Sequence, residues 1–95
     1  MYMRIVRGQV QPGQLDEMSR RWQDGIGARL SSEPGFRHGY FAGDRATNTT
    51  LGVTVWDQKP DEESMTQRMN NFRSQIQDIL AGPPTVEEYE VLNEV

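Results

Sequence analysis

The sequence contains no cysteine, which removes disulfides, thiolate metal sites and cysteine nucleophiles together. Histidine is nearly absent too: His38 is the only one, and so the only unperturbed side chain that titrates near neutrality. No GxSxG motif is present, so a serine nucleophile elbow is not indicated. No stretch approaches the ~20 apolar residues of a membrane span, and the opening residues MYMRIVRGQV hold no long apolar signal core. A basic excess is also missing. Ten Lys and Arg stand against fourteen Asp and Glu, for a net charge of -4. Residues 1–45 carry +2 and residues 46–95 carry -6, and neither half shows a basic stripe interleaved with aromatics. These absences lead us to expect a cytoplasmic protein without nucleic-acid or membrane partners.

What is present is enough apolar bulk for one domain spanning residues 1–95. The chain has two Trp, three Tyr, three Phe and five Met among 95 residues, too much for a disordered segment. A domain of this length buries only roughly 60–65% of its unfolded surface. Burial against a second copy would supplement so thin a core.

The apolar spacing predicts six elements. Met1–Val10 reads as a strand with Tyr2, Val6 and Val10 on one face and Met3 and Ile5 on the other. After the Gln11-Pro12-Gly13 break, Leu15, Met18, Trp22, Ile26 and Leu30 mark one face of a helix, weakened by Gly25 and Gly27 and ended at Glu33-Pro34-Gly35. Phe36 to about Gly43 is a second strand, and Asp44–Asn48 a polar hairpin loop. Thr49–Trp56 alternates cleanly, with Leu51, Val53 and Val55 on one face and Thr50, Gly52, Thr54 and Trp56 on the other. A second helix starts at Pro60–Glu63, buries Met65, Met69, Phe72, Ile76 and Ile79 or Leu80, and stops at Gly82-Pro83-Pro84. The tail Thr85–Val95 reads as a strand, with Tyr89, Val91 and Val95 opposite Glu88, Glu90 and Glu94.

The order β-α-β-β-α-β is the split βαβ arrangement of ferredoxin-like α+β folds. It implies a four-stranded antiparallel sheet with two helices on one face. The other face is expected to show Trp56, some aromatics of the second strand and small residues, a patch large enough to be an interaction surface. Face-to-face pairing with a second sheet, closed by the tail strand, would cover it. A homodimer is therefore expected.

With these elements placed, the chain resembles the antibiotic-biosynthesis-monooxygenase-like (ABM-like) group of dimeric α+β barrels. The resemblance rests on Gln11-Pro12-Gly13 before the first helix, Pro34-Gly35-Phe36 leading into the second strand, and Val53-Thr54-Val55-Trp56-Asp57 closing the third. It runs nearly end to end. It implies a fold that hosts cofactor-free oxygenases of aromatic polyketides or quinols as well as haem-degrading enzymes. The haem-degrading branch uses an Asn on strand one and a Trp and a His on helix two. Met1–Val10 has no Asn and Pro60–Leu80 has neither Trp nor His, which argues against that chemistry. Trp56 looks instead like the structural tryptophan of the family.

Cofactor-free oxygenation asks the protein to deprotonate an electron-rich phenol or enol, hold the anion and exclude water. No metal or other cofactor is expected. His38 and Tyr40 are the candidate catalytic groups, His38 as a general base at a pocket wall or as one axial ligand; beside Arg37 it reads equally well as a hydrogen-bonded surface group. Trp22, Trp56, Met69 and Phe72, with Arg73 at the rim, are the candidate binding residues for a small apolar or aromatic molecule. Core packing is the competing role for Trp22, Met69 and Phe72, and a dimer interface for Trp56. Asn48, Asn70 and Asn71 are further polar candidates, Asn70 and Asn71 adjoining the same helix. Asp61-Glu62-Glu63 is explained by the positive end of its helix, without a metal.

Overall fold

The computed structural model describes residues 1–95 throughout. Strand β1 (Tyr2–Gln9) leads through the Pro12-Gly13 turn into helix α1 (Leu15–Trp22). Gly13 sits at φ 82°, a left-handed value that a side chain would resist. Asp16 and Glu17 lie in the first turn of α1 and Arg20 and Arg21 in its last, as the helix dipole favours. The chain then widens into a π-helical turn, Gln23–Gly27, before the short α2 (Ala28–Leu30). A single regular helix was expected here. The irregularity coincides with Gly25 and Gly27, and Gly25 lets the ring of Phe72 approach so closely that a Cβ would stand 3.2 Å from it.

Strand β2 (Phe36–Asp44), strand β3 (Thr49–Trp56), helix α3 (Glu62–Ile76) and strand β4 (Thr85–Glu90) complete the chain. The carboxylate of Asp61 caps α3 by accepting from the Ser64 amide at 3.0 Å. The predicted tail strand is shorter than its alternation suggested. Pairing with β1 ends at Glu90, because Tyr2 is its partner and β1 begins there. Residues 91–95 run on outside any strand, with Leu92 79% exposed.

The four strands form one antiparallel sheet in the order β2-β3-β1-β4. Its register sets the two faces. Arg4 opposes Thr54, Val6 opposes Gly52 and Gly8 opposes Thr50, while Phe41 opposes Gly52 from the other side. These residues lie under the helices. Met3, Ile5, Leu51, Val53 and Val55 alternate to the opposite face, joined by His38, Tyr40 and Tyr89.

This arrangement corrects one expectation. Trp56 was assigned to the uncovered face, yet it is 1% exposed and lies on the helix side, edge-on to Phe36 with ring centroids 5.3 Å apart. The helices cover the side of the sheet with small residues, because the bulk on that side comes from the helices themselves. A Cβ on Gly43 would stand 2.6 Å from Leu15, and one on Gly52 would stand 3.3 Å from Nε1 of Trp22. Leu51, Val53 and Val55 are left on the face no helix covers.

The core proper joins Val10, Leu15, Met18, Phe72, Ile76 and Ile79. Arg21 links the two helical segments from outside: its guanidinium donates to Glu17 at 3.1 Å and to Asp78 at 2.8 Å. Both carboxylates are held below the usual range, Glu17 by Arg20 and Arg21 and Asp78 by Arg21. No helix is long and apolar enough to cross a membrane.

Candidate ligand-binding site

Between the sheet and the helices lies a cavity of about 90 Å³. Its sheet wall is made of Val6, Gly8, Thr50 and Gly52, residues too small to reach the helices above them. Met65, Met69 and Phe72 of α3 supply the opposite wall, spaced by three and four residues so that they share one helix face. Trp22 and Ile26 enter from the first helical segment, and Trp22 packs on Phe41 with ring centroids 5.5 Å apart. Trp56 lines the cavity from the end of β3, where its Nε1–H donates to Thr54 Oγ1 at 3.0 Å. The indole is thus satisfied within the sheet and presents carbon to the cavity.

The charged groups lining this space are Arg4, Arg68 and Arg73. Arg4 rises from β1 and donates to Glu88 Oε1 at 3.0 Å; Arg68 pairs with Glu33 at 2.8 Å. Glu88 also lies 3.7 Å from Lys59. Its carboxyl is held below the usual range by the Tyr2 hydroxyl and by the charges of Lys59 and Arg4. In turn, burial and the neighbouring Glu88 push the Tyr2 phenol up to about 12.

Of the residues singled out from the sequence, Trp22, Trp56, Met69, Phe72 and Arg73 converge on this cavity. His38 and Tyr40 do not reach it. They oppose Val55 and Val53 and so project from the uncovered face, Tyr40 being 62% exposed. Both border a shallower, more open depression along the β2 edge, backed by Trp22 and Leu30. Asn48, Asn70 and Asn71 do not line the cavity either. Arg4 and Arg68 were missed by sequence reasoning, although a signal existed. Arg4 shares the strand phase of Val6, and Arg68 directly precedes Met69 of the apolar stripe.

Comparison with solved structures places this architecture. A monooxygenase from the gene ActVA-Orf6 of Streptomyces coelicolor, solved in complex with the ligand nanaomycin D, superposes with a TM-score of 0.80 over 99% of this chain and 89% of its own, at 14% identity. A Nitrosomonas europaea protein assigned to the antibiotic biosynthesis monooxygenases superposes with a TM-score of 0.79 at 16% identity, over 98% of this chain and 100% of its own. The chain has the fold of the antibiotic biosynthesis monooxygenases. Rv0793 of Mycobacterium tuberculosis shares this ABM fold too, with a TM-score of 0.75 at 18% identity, over 98% of this chain and 96% of that one. No protein-family model and no curated protein matches the sequence. The ABM architecture is therefore carried here by a sequence far from those neighbours, and the cavity has to be read from its own residues.

Proposed function

We propose that the protein is a cofactor-independent monooxygenase acting on a phenolic, quinol or polyketide-like aromatic compound. The observation that carries this reading is the apolar cavity between sheet and helices, walled by Trp22, Met69 and Phe72 in an ABM fold. Flat aromatic side chains and flexible Met thioethers suit a flat ring. The superposable ActVA-Orf6 monooxygenase was solved with a ligand, which supports small-molecule binding in this architecture.

The chemistry asks little of the chain. An electron-rich phenolate reacts with O2 at a ring carbon that bears hydrogen; one oxygen atom becomes the new carbonyl of a quinone as that C–H bond breaks, and the other leaves as water with the displaced hydrogen and one proton from solvent. Trp22, Trp56, Met69 and Phe72 hold the ring and keep bulk water out, and Arg73 sits at the rim. No His, Tyr, Lys, Asp or Glu lines the cavity, so the mechanism routes no proton through His38 or Tyr40. The same feature favours a second reading, a non-catalytic homodimer that binds a small hydrophobic molecule.

Thermal shift followed by Trp fluorescence, against anthrones, quinols and polyphenols, tests the binding step. Saturation at 100 times the dissociation constant adds about 2.7 kcal/mol, which for a domain of this size raises Tm by roughly 10 °C or more. Oxygen uptake with a binding compound, unaffected by chelator, is the expected outcome. Binding without uptake assigns the non-catalytic role, turnover of any kind rejects it, and loss of uptake on adding chelator overturns cofactor independence.

A further inference from the structure

Two neutral polar groups on the cavity wall have no partner within the protein. Thr50 is a polar residue only 3% exposed, yet its hydroxyl takes part in none of the side-chain hydrogen bonds. The Nε1–H of Trp22 is free in the same way, whereas that of Trp56 is held by Thr54. No buried side-chain polar atom is sealed off without a partner, so both free groups open onto the cavity they line. Two glycines keep them open. A Cβ on Gly8 would stand 3.0 Å from Thr50 Oγ1, and one on Gly52 would stand 3.3 Å from Trp22 Nε1. Gly8 is the cross-strand partner of Thr50. Thr50 and Gly52 lie two residues apart on β3, about 7 Å along the strand. The hydroxyl and the indole N–H therefore lie over one stretch of the sheet, within reach of a single molecule. Packing alone would be served by Val in place of Thr50 and by Phe in place of Trp22 against Phe41. A desolvated donor without an acceptor costs free energy, which an oxygen of a bound ligand recovers.

We propose that Trp22 and Thr50 are positioning residues that orient the ligand through two neutral hydrogen bonds on the sheet side of the cavity. The Nε1–H of Trp22 donates to one ligand oxygen, and the Thr50 hydroxyl bonds a second. This rests on the cavity reading above and adds what fixes the molecule within it. The oxygenated edge of the ligand faces the sheet, and its hydrocarbon edge faces Met65 and Met69 of α3. An indole N–H only donates, so the oxygen at Trp22 is a carbonyl or another acceptor. A hydroxyl both donates and accepts, so Thr50 takes either a carbonyl or a hydroxyl group. The ligand class narrows to a ring system with two oxygens on separate carbons, a quinone or a hydroxyketone. A bare hydrocarbon of the same shape leaves both groups unpaired and is bound less well.

The test compares two uncharged probes with one ring skeleton, 1,4-naphthoquinone and naphthalene. Equilibrium dialysis gives each affinity from the absorbance of the probe itself, so the loss of a Trp does not disturb the measurement. The wild type is expected to bind 1,4-naphthoquinone about tenfold or more tightly than naphthalene, although naphthalene is the more hydrophobic. Trp22→Phe and Thr50→Val should each cut that preference about threefold or more, with naphthalene bound as before. A second readout needs no ligand. A hydroxyl without a protein partner is not missed on folding, so Thr50→Val should leave Tm unchanged or raised. A clear fall in Tm would mean that the Thr50 hydroxyl is engaged within the protein, and would overturn its assignment. A preference that survives one of the two substitutions removes that residue from the proposal, and one that survives both overturns it. Equal affinity for the two probes in the wild type also overturns it and leaves the apolar cavity standing. Failure of both probes to bind overturns the cavity reading together with the assignment.

Discussion

A single residue can carry two loads, and Tyr2 does. It begins β1, pairing with Trp56 on one side and Glu90 on the other, and its phenol lies against Glu88. Burial, then the Glu88 carboxylate, lifts its pKa to about 12 from an unfolded value of about 10. The group is an acid whose folded pKa is raised, so the folded state retains the proton that the unfolded state gives up. Below pH 10 both states are protonated and the full contribution is present; it is lost as pH rises from about 10 to about 12. Stability measured by denaturant midpoint should therefore fall across that window, and fall less steeply in Tyr2→Phe. Tyrosinate absorbance should show one phenol ionising near 12. An unchanged slope in Tyr2→Phe would place the alkaline sensitivity elsewhere, with Tyr89, whose hydroxyl donates to Glu87 at 2.8 Å and whose pKa is also raised, the next group to change.

At the scale of elements, Phe72 shows how the first and last helices depend on each other. It is 6% exposed, one helical turn before Ile76, and its ring meets Gly25 inside the π-helical turn. Phe72→Ala removes that ring from the core and from the cavity wall, at a cost of about 3–5 kcal/mol. Chemical denaturation should give a midpoint lowered accordingly; a loss under 1 kcal/mol would mean that the π turn collapses onto the gap. The elements themselves were largely legible. Period-two alternation in Thr49–Trp56 and the helical spacing from Met65 to Ile76 gave type and phase, and Pro12-Gly13 and Pro34-Gly35 gave the breaks. Two things were not legible. Alternation assigns Leu51, Val53 and Val55 to one face without saying which face the helices take. That choice depends on Trp22 and Leu15 needing the room above Gly52 and Gly43, a fit between elements distant in sequence. The π turn was invisible for the same reason: its glycines read as weak helix, and only the approach of Phe72 gives the widened turn a partner. Candidate site residues on α3 followed from its stripe, whereas the role of Arg4 depends on Glu88, 84 residues away.

For the whole molecule, the decisive feature is the face that no helix covers. Met3, Ile5, Leu51 and Val53 form its middle across β1 and β3, flanked by Tyr40 on β2 and Tyr89 on β4, which are 62% and 52% exposed. An antiparallel sheet that faced water would alternate polar residues outward, and the middle of this one does not. We propose that two copies pack these faces together as a homodimer, at the ~10 Å separation usual for stacked sheets. The Val91 amide donates to the Met1 carbonyl at 2.9 Å, and residues 92–95 run on beyond it outside any strand, where the proposed pairing would let them lie along the partner. Val53 lies between Ile5 and Tyr40 across the strands, near the centre of this face, so a charge there would be desolvated in the pair and solvated in the monomer. Sedimentation equilibrium of the wild type should give twice the 10.9 kDa chain mass, and Val53→Lys should give 10.9 kDa with retained circular dichroism. The cavity lies on the other side of the sheet, so the monomeric variant separates two questions. If it still binds an aromatic probe, each subunit carries a complete site. Lost binding in a folded monomer would mean that pairing holds the sheet in the curvature the cavity needs, and a wild type that sediments at 10.9 kDa at every concentration would leave the apolar face without its proposed partner.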